Sequence, residues 1–553
     1  MKKPAVVLAL FAFALAGSGS AAASAAPGPS GPNPPQLMLA SQVGPSHGGP
    51  QQALRSYLPL NADGFMRAKA AADERAHGVH GGAASAAPTV AAAAAASTFA
   101  NVSPSFAGTY WTGGTPPDTT GAIGPDRYIE TVNTKYAIYS RAGGLINSGS
   151  LSALTGLSGG FFGYNLSDPQ MMWDSKTQRF YYSAVYYDSF LFNTGLALGW
   201  SKTATPTSSS DFCKYVIQFN GEFPDYPKLG DSSDFIMLGY NMFGFFASRY
   251  DGSGVSIVNK PTAGAACAPT SAFALTNTGA LHNADGSLAS TPVPANLVDD
   301  SNGAGYVVAN ADLSTAPSAN FISVYSVTTN GKNANGIPLP AMSAPTSVTV
   351  PSYSMPADAP QNGSSFLIDT LDGRFKQAVA AVDPRNGMAI WASHAVYGGA
   401  GSEERWYEIS PNTGSLFQSG TVNDPALYVW NGAVSPDRAN NGTSASFGDS
   451  MAMSVSTSSA ATYPAIQFLW KPGGGAQSSL NNLVQSPGAD VDISCSNTAP
   501  CRWGDYSGAS PDPAASQTGS VGKVWLANQY NLAGGTTSNV SWRTWIFGVT
   551  PGG

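Results

Sequence analysis

Five aspartates recur in similar local settings: Asp118, Asp168, Asp225, Asp449 and Asp505, with Asp300 and Asp372 as two further members. Carboxylates gathered at one place raise each other's pKa or recruit a cation, and hard oxygen ligands suit Ca²⁺ better than zinc. Paired carboxylates also serve as acid, base or nucleophile in glycoside cleavage. On this chemistry Asp449 and Asp505 are the candidate catalytic carboxylates, and His394 is a candidate base for a lyase-type reaction. Asp118, Asp168 and Asp225, with Trp503 and Tyr506, are the candidate ligand contacts. Asp118, Asp225 and Asp505 are the candidate calcium ligands. Tyr226, Trp173 and Trp111 lie near the same aspartates in sequence and offer further faces for a sugar ring. The competing reading is structural: strand-entry aspartates accept backbone N–H bonds, the aromatics pack between repeats, and His394 is an ordinary strand histidine.

Other chemistries find little support. Beyond residue 100 only His282 and His394 remain, too few for a multi-histidine zinc site. No Gly-x-Ser-x-Gly elbow and no phosphate-cradling loop appears. Glu403-Glu404-Arg405 reads as a solvated loop.

The elements that must position these residues are short strands. The chain is 43% apolar and 11% charged, with 62 glycines, 40 prolines and 11% aromatics, a composition suited to an extracellular all-β protein. From about Asn101, short alternating apolar runs are separated by Gly, Pro, Asn and Asp turns. Aligned on the aspartates, the units lie roughly 50 to 77 residues apart, which suggests blades with inserted loops. The reading is an all-β β-propeller of about seven blades with a low-complexity N-terminal leader. Gly121, Ala122, Gly508 and Ala509 suit the crowded channel, and Phe180 to Val185 suits packing between blades. Trp542 to Val549 is expected to pair with a strand near Phe106 to Trp111 and close the ring.

Three segments carry a resemblance: Pro-Pro-Asp-Thr-Thr-Gly-Ala-Ile-Gly-Pro-Asp (116–126), Phe-Pro-Asp-Tyr-Pro-Lys-Leu-Gly (223–230) and Arg-Trp-Gly-Asp-Tyr-Ser-Gly-Ala-Ser-Pro-Asp (502–512). They resemble segments of a family of secreted bacterial β-propeller proteins, mostly uncharacterised, over about residues 101 to 550. The resemblance implies the fold and carries no established activity, so no catalytic residue transfers.

Residues 1–26 read as a signal peptide. Lys2 and Lys3 precede an apolar run from Ala5 to Ala16, too short for a membrane span, and cleavage is expected between about Ser20 and Ala26. Residues 27–100 form an Ala/Gly/Pro-rich leader or linker, outside the main core, with a helical pattern from Ala53 to His77 that Pro59 and Gly64 interrupt. Residues 101–553 form the propeller domain. The expected location is secreted or periplasmic, with no membrane span. A formal charge of -7, without a basic run, disfavours nucleic acid and anionic membranes. Four cysteines fit an oxidising compartment; Cys495–Cys501 is expected to close a tight loop, leaving Cys213–Cys267. The function expected is binding, and in its stronger form cleavage, of an extracellular glycan at the channel mouth by a glycoside hydrolase or polysaccharide lyase. The alternative is a non-catalytic interaction or adhesion scaffold that meets a protein surface.

Overall fold

The computed structural model describes residues 34–44, 46, 60–81, 101–110 and 114–551, the last apart from 159–162, 220–221, 245–248, 263–266, 299–302, 439–446, 519–521 and 539. The expected signal peptide, Trp111 and Asp300 lie outside these residues.

The strands form seven sheets arranged as a seven-bladed β-propeller. The inner strands, in order of blades 1 to 7, are Thr120–Ile123, Asn165–Asp174, Phe223–Asp231, Ala289–Pro294, Ala378–Asp383, Tyr428–Pro436 and Gly508–Pro511. Each blade then runs outward through antiparallel strands; in blade 4 both Pro338–Met342 and Thr346–Tyr353 pair with the long strand Ala319–Lys332. In blade 5 the short strand Asn296–Leu297 crosses from blade 4 and pairs in parallel with the inner strand.

Period-two alternation explains why both faces of a blade are apolar. In Arg179–Tyr187, Phe180, Tyr182, Ala184 and Tyr186 pack with Ala122 and Ile129 of blade 1. Tyr181, Val185 and Tyr187 point the other way, to Ile236, Leu238 and Val258 of blade 3. A strand buried on both sides is a continuous apolar run, as expected here.

The ring closes as expected. Asn101–Tyr110 pairs antiparallel with Trp542–Thr550, placing Phe106 opposite Ile546 and Ala107 opposite Trp545. Blade 7 therefore takes its outer strand from the N-terminal side, which leaves no open seam. A small cavity of about 30 Å³ lies among the inner strands, lined by Gly121, Ala122, Gly508 and Ala509 among others. A Cβ on Gly508 would stand 3.1 Å from the Gly121 nitrogen, so small residues set how closely blades 7 and 1 approach.

Both expected disulfides are present, Cys213–Cys267 and Cys495–Cys501. No helix among the described residues is long and apolar enough to cross a membrane.

The leader is more engaged than its composition implies. Gln36–Leu39 adds a fifth strand to the outer edge of blade 2. A helix spans Ala62–Gly81; residues 53–59 of the expected pattern lie outside the described residues. Gly64 does not interrupt it: a side chain there would collide with the Ser314 carbonyl oxygen, so glycine allows the first turn to seat on blade 4. Lys69 enters a buried socket, 2.6 Å from Asp358 and 2.9 Å from Thr370. Ala72 and Ala76 are buried with Trp430 and Trp503.

Candidate functional site

The inner strands share a backbone device. Asp118, Asp168, Tyr226, Thr291, Leu371 and Asn431 all have positive φ, and each lies on or just before an inner strand. In blades 2, 3, 4 and 6 the ladder slips there, at Ser167/Gln170, Asp225/Lys228, Ser290/Val293 and Trp430/Ala433. These are bulges, which re-aim side chains and twist the strand. Three are followed by proline (Pro169, Pro227, Pro292), which has no N–H to contribute to a ladder.

Asp168 and Asp225 stand at the bulges of blades 2 and 3, while Asp118 and Asp505 shortly precede the inner strands of blades 1 and 7. One carboxylate oxygen from each of Asp118, Asp168 and Asp505 lies within 4.8 Å of the others. Asp118 Oδ1 accepts the Asp505 backbone N–H at 2.7 Å, and its Oδ2 accepts Asn133 Nδ2 at 2.6 Å. Asn133 Oδ1 accepts the Asp168 N–H at 2.8 Å. Tyr506 donates its hydroxyl to Asp168 Oδ2 at 2.8 Å, and Tyr226 donates to the Asp505 carbonyl at 3.1 Å. Asp225 stands beside this group on the inner strand of blade 3. Asp118 and Asp505 are buried, whereas Asp168 and Asp225 are half-buried.

Cations interleave with the acids. Arg502 donates to Asp505 Oδ1 at 2.6 Å. Arg374 grips Asp372 through two bonds of 2.7 and 2.6 Å and lies 4.5 Å from the Tyr226 ring. Lys228 Nζ is held between the rings of Tyr226 and Tyr506, 3.9 and 3.5 Å from their centroids, with no hydrogen-bond partner among the described residues. Lys376 donates to Asn431 Oδ1 at 3.1 Å.

Burial dominates the proton affinities. Desolvation, then the neighbouring Asp505 and Asp168, pushes Asp118 well above the usual carboxylate range. Asp168 is raised by burial and by Asp505. Asp225 is pushed up to about 7 by burial and by Asp168. The amines move the other way: burial drives Lys228 well down and brings Lys376 to about 8.

The donor set fits a hard cation in type. Asp118, Asp168 and Asp505 supply carboxylate oxygens, and the buried Gln529 Oε1, which has no hydrogen-bond partner among the described residues, faces Gly504 beside them. Asp225, expected as a ligand from its spacing, is not part of this trio. Arg502 is already a resident cation on Asp505.

Several sequence expectations land elsewhere. Asp449 does not head an inner strand. It follows the inner strand of blade 6 and precedes Met451–Ser459, pairing with Arg385 at 2.9 Å. The inner-strand position in blade 6 belongs to Asn431, near the opposite end of the strand. Asp449 and Asp505 are thus not brought together. The spacing misleads because the loop between the first two strands of blade 6 is long enough to imitate a repeat boundary.

His394 sits in the second strand of blade 5, fully buried and stacked on Phe375 at 4.8 Å. Its Nδ1 faces the Gly373 carbonyl at 2.7 Å, so that nitrogen donates, and Nε2 accepts from the Tyr407 hydroxyl at 3.0 Å. Burial pushes it down to about 3. It is a neutral packing group, not a base at the mouth.

The aromatic platforms are also occupied. Trp503 is buried edge-on to Trp430 and donates to Ser456, Trp173 packs on Phe180, and Tyr506 is covered by Tyr226 and Lys228. None of these rings offers a free face to a sugar. Glu403-Glu404-Arg405 is no loop: it begins the strand Glu403–Ser410, and Glu404 is fully buried with Oε1 accepting the Gly432 N–H at 2.6 Å.

Sequence reasoning passed over Lys228, Arg374, Lys376 and Arg502 as site residues. Their signal was present: a basic residue lies within three positions of Asp225, Asp372 and Asp505.

No family model matches the sequence, and no curated protein matches it. Among solved structures the chain is similar to the propeller of Dos1, with 12% identity and a TM-score of 0.34 over 81% of this chain and 95% of that one. It is also similar to an exo-β-1,3-galactanase from Phanerochaete chrysosporium, with 10% identity and a TM-score of 0.25 over 82% of this chain and 100% of that one. An apocarotenoid oxygenase of Synechocystis shows 11% identity and a TM-score of 0.33 over 66% of this chain and 71% of that one. At such identities and TM-scores these likenesses carry no argument about function.

Proposed function

We propose that this is an extracellular or periplasmic propeller that binds a glycan at the channel mouth. The observation that carries the reading is the contrast within the acidic group: Asp118 and Asp505 are buried and committed to the protein, while Asp168 and Asp225 remain half-buried. Carboxylates in that position accept sugar hydroxyls. Two disulfides support an oxidising compartment. Calcium, held by Asp118, Asp168 and Asp505, is the proposed cation and would neutralise the acids and offer coordination to hydroxyls.

Hydrolysis is the stronger form of this proposal. Asp225, pushed up to about 7, holds a proton for transfer near neutral pH, and the half-buried Asp168 is the second carboxylate. A glycan array with a reducing-end release assay tests both forms. Binding or release lost in Asp168→Asn and Asp225→Asn, with the fold intact by circular dichroism, supports the site. Binding that survives both substitutions removes it.

A second reading has its own observation. Asp118, Asn133, Asp168 and Asp505 bond to one another across blades 7, 1 and 2, as a purely structural latch would. A scaffold of this kind binds no member of the array.

A further inference from the structure

A cavity of about 440 Å³ opens between blades 3 and 4, away from the aspartate trio. That volume falls within the range of small-ligand sites. One wall is aromatic: Tyr250 and Phe321 are half-buried and line it. A second wall carries two carboxylates held by the same local motif. Asp285 Oδ1 accepts the N–H and hydroxyl of Ser287 at 3.0 and 2.6 Å. Asp312 Oδ1 accepts the N–H and hydroxyl of Ser314 at 2.8 and 2.5 Å. Each aspartate is thereby fixed in orientation, and each keeps a second oxygen with no hydrogen-bond partner among the described residues.

The third wall comes from the leader. Asn61 lines the cavity immediately before the helix Ala62–Gly81, its Oδ1 accepting the Gly64 N–H at 3.0 Å in the manner of an N-cap. Its Nδ2 reaches the Ser314 carbonyl only at 3.5 Å, a weak bond that leaves the amide available as a donor. Asn320, exposed at the rim, adds a donor and an acceptor.

We infer that this cavity is a second carbohydrate site, which takes an uncharged sugar unit of a glycan through Tyr250, Phe321, Asp285, Asp312, Asn320 and Asn61. Apolar rings match the C–H face of a sugar, and carboxylate oxygens with side-chain amides match its hydroxyls. Asp285 accepts two bonds that lower its pKa, so it is ionised at neutral pH and disfavours an acidic sugar. The leader is then part of a binding surface, and the site does not depend on the mouth.

Saturation-transfer NMR on the full chain tests this with lactose, cellobiose, maltose and chitobiose, against digalacturonic acid. The inference expects at least one neutral disaccharide to bind and the acidic one not to. Affinity should fall about tenfold in Asp285→Asn, an exposed position unimportant to folding, and more in Phe321→Ala. Binding by none of the neutral sugars, or binding undiminished in both cavity variants, overturns the inference.

Discussion

Asp118 and Asp505, 387 positions apart in sequence, are joined directly: the Asp505 backbone N–H donates to Asp118 Oδ1 at 2.7 Å. The bond crosses from blade 7 to blade 1. Asp118→Ala strands two buried donors, this N–H and Asn133 Nδ2, and should destabilise the protein by about 2 kcal/mol or more. Asp118→Asn keeps one acceptor and should cost less. Denaturant midpoints of the two variants measure the difference.

The pH dependence at the mouth has a definite sign. Asp225 is raised from 3.8 to about 7 on folding, so the native state holds a proton that the unfolded chain releases in that window. Stability from this group is fully present below about pH 4 and is lost as pH rises toward about 7. Asp225→Asn should flatten that decline. Melting temperatures at about pH 4.5 and about pH 7.5, for both proteins, check the sign.

Calcium at Asp118, Asp168 and Asp505 should raise the melting temperature, and a chelator should lower it, because a ligand that binds only the folded state stabilises it by mass action. Asp168→Asn should abolish the shift. A protein indifferent to both calcium and chelator does not use this trio as a metal site.

Lys69 is the ion-pair partner of Asp358 at 2.6 Å and of Asp369 at 3.8 Å, all three buried. Lys69→Met leaves two buried carboxylates uncompensated and should cost about 3–5 kcal/mol, more than a surface pair would. If the helix contributed nothing to the fold, urea unfolding of this variant would match the parent.

Gly230 lies on the inner strand of blade 3, where a Cβ would collide with the backbone carbonyl of Pro294 in blade 4. Neither strand can move without opening the channel. Gly230→Val should lose most soluble expression, whereas Gly387→Ala, a turn glycine with nothing within 4 Å of its Cβ, should fold with only a modest loss. Soluble yield and circular dichroism compare the two.

Much of the architecture is local information. The strand texture, the small residues at Gly121 and Gly508 and the continuous apolar run at Phe180 to Val185 all follow from side-chain size and period, which neighbouring residues carry. The cysteine pairing is equally local for Cys495 and Cys501. The acidic markers were legible where the repeat is regular, at Asp118, Asp168, Asp225, Asp372 and Asp505, all at the entrance to an inner strand.

What the chain order could not convey is which residues meet across blades. Asp449 has the right residue type and the wrong end of its blade, because an inserted loop shifts the repeat and only sheet pairing reveals the shift. Trp503, Tyr506 and His394 look available for chemistry until neighbouring blades cover them. The cations at Lys228, Arg374, Lys376 and Arg502 converge on the carboxylates only when the ring closes. The sequence by itself determined strands, small channel residues and the Cys495–Cys501 bridge, since these depend on near neighbours. Tertiary structure decided exposure, charge pairing and the leader's place on the propeller, since those depend on segments hundreds of residues apart being packed together.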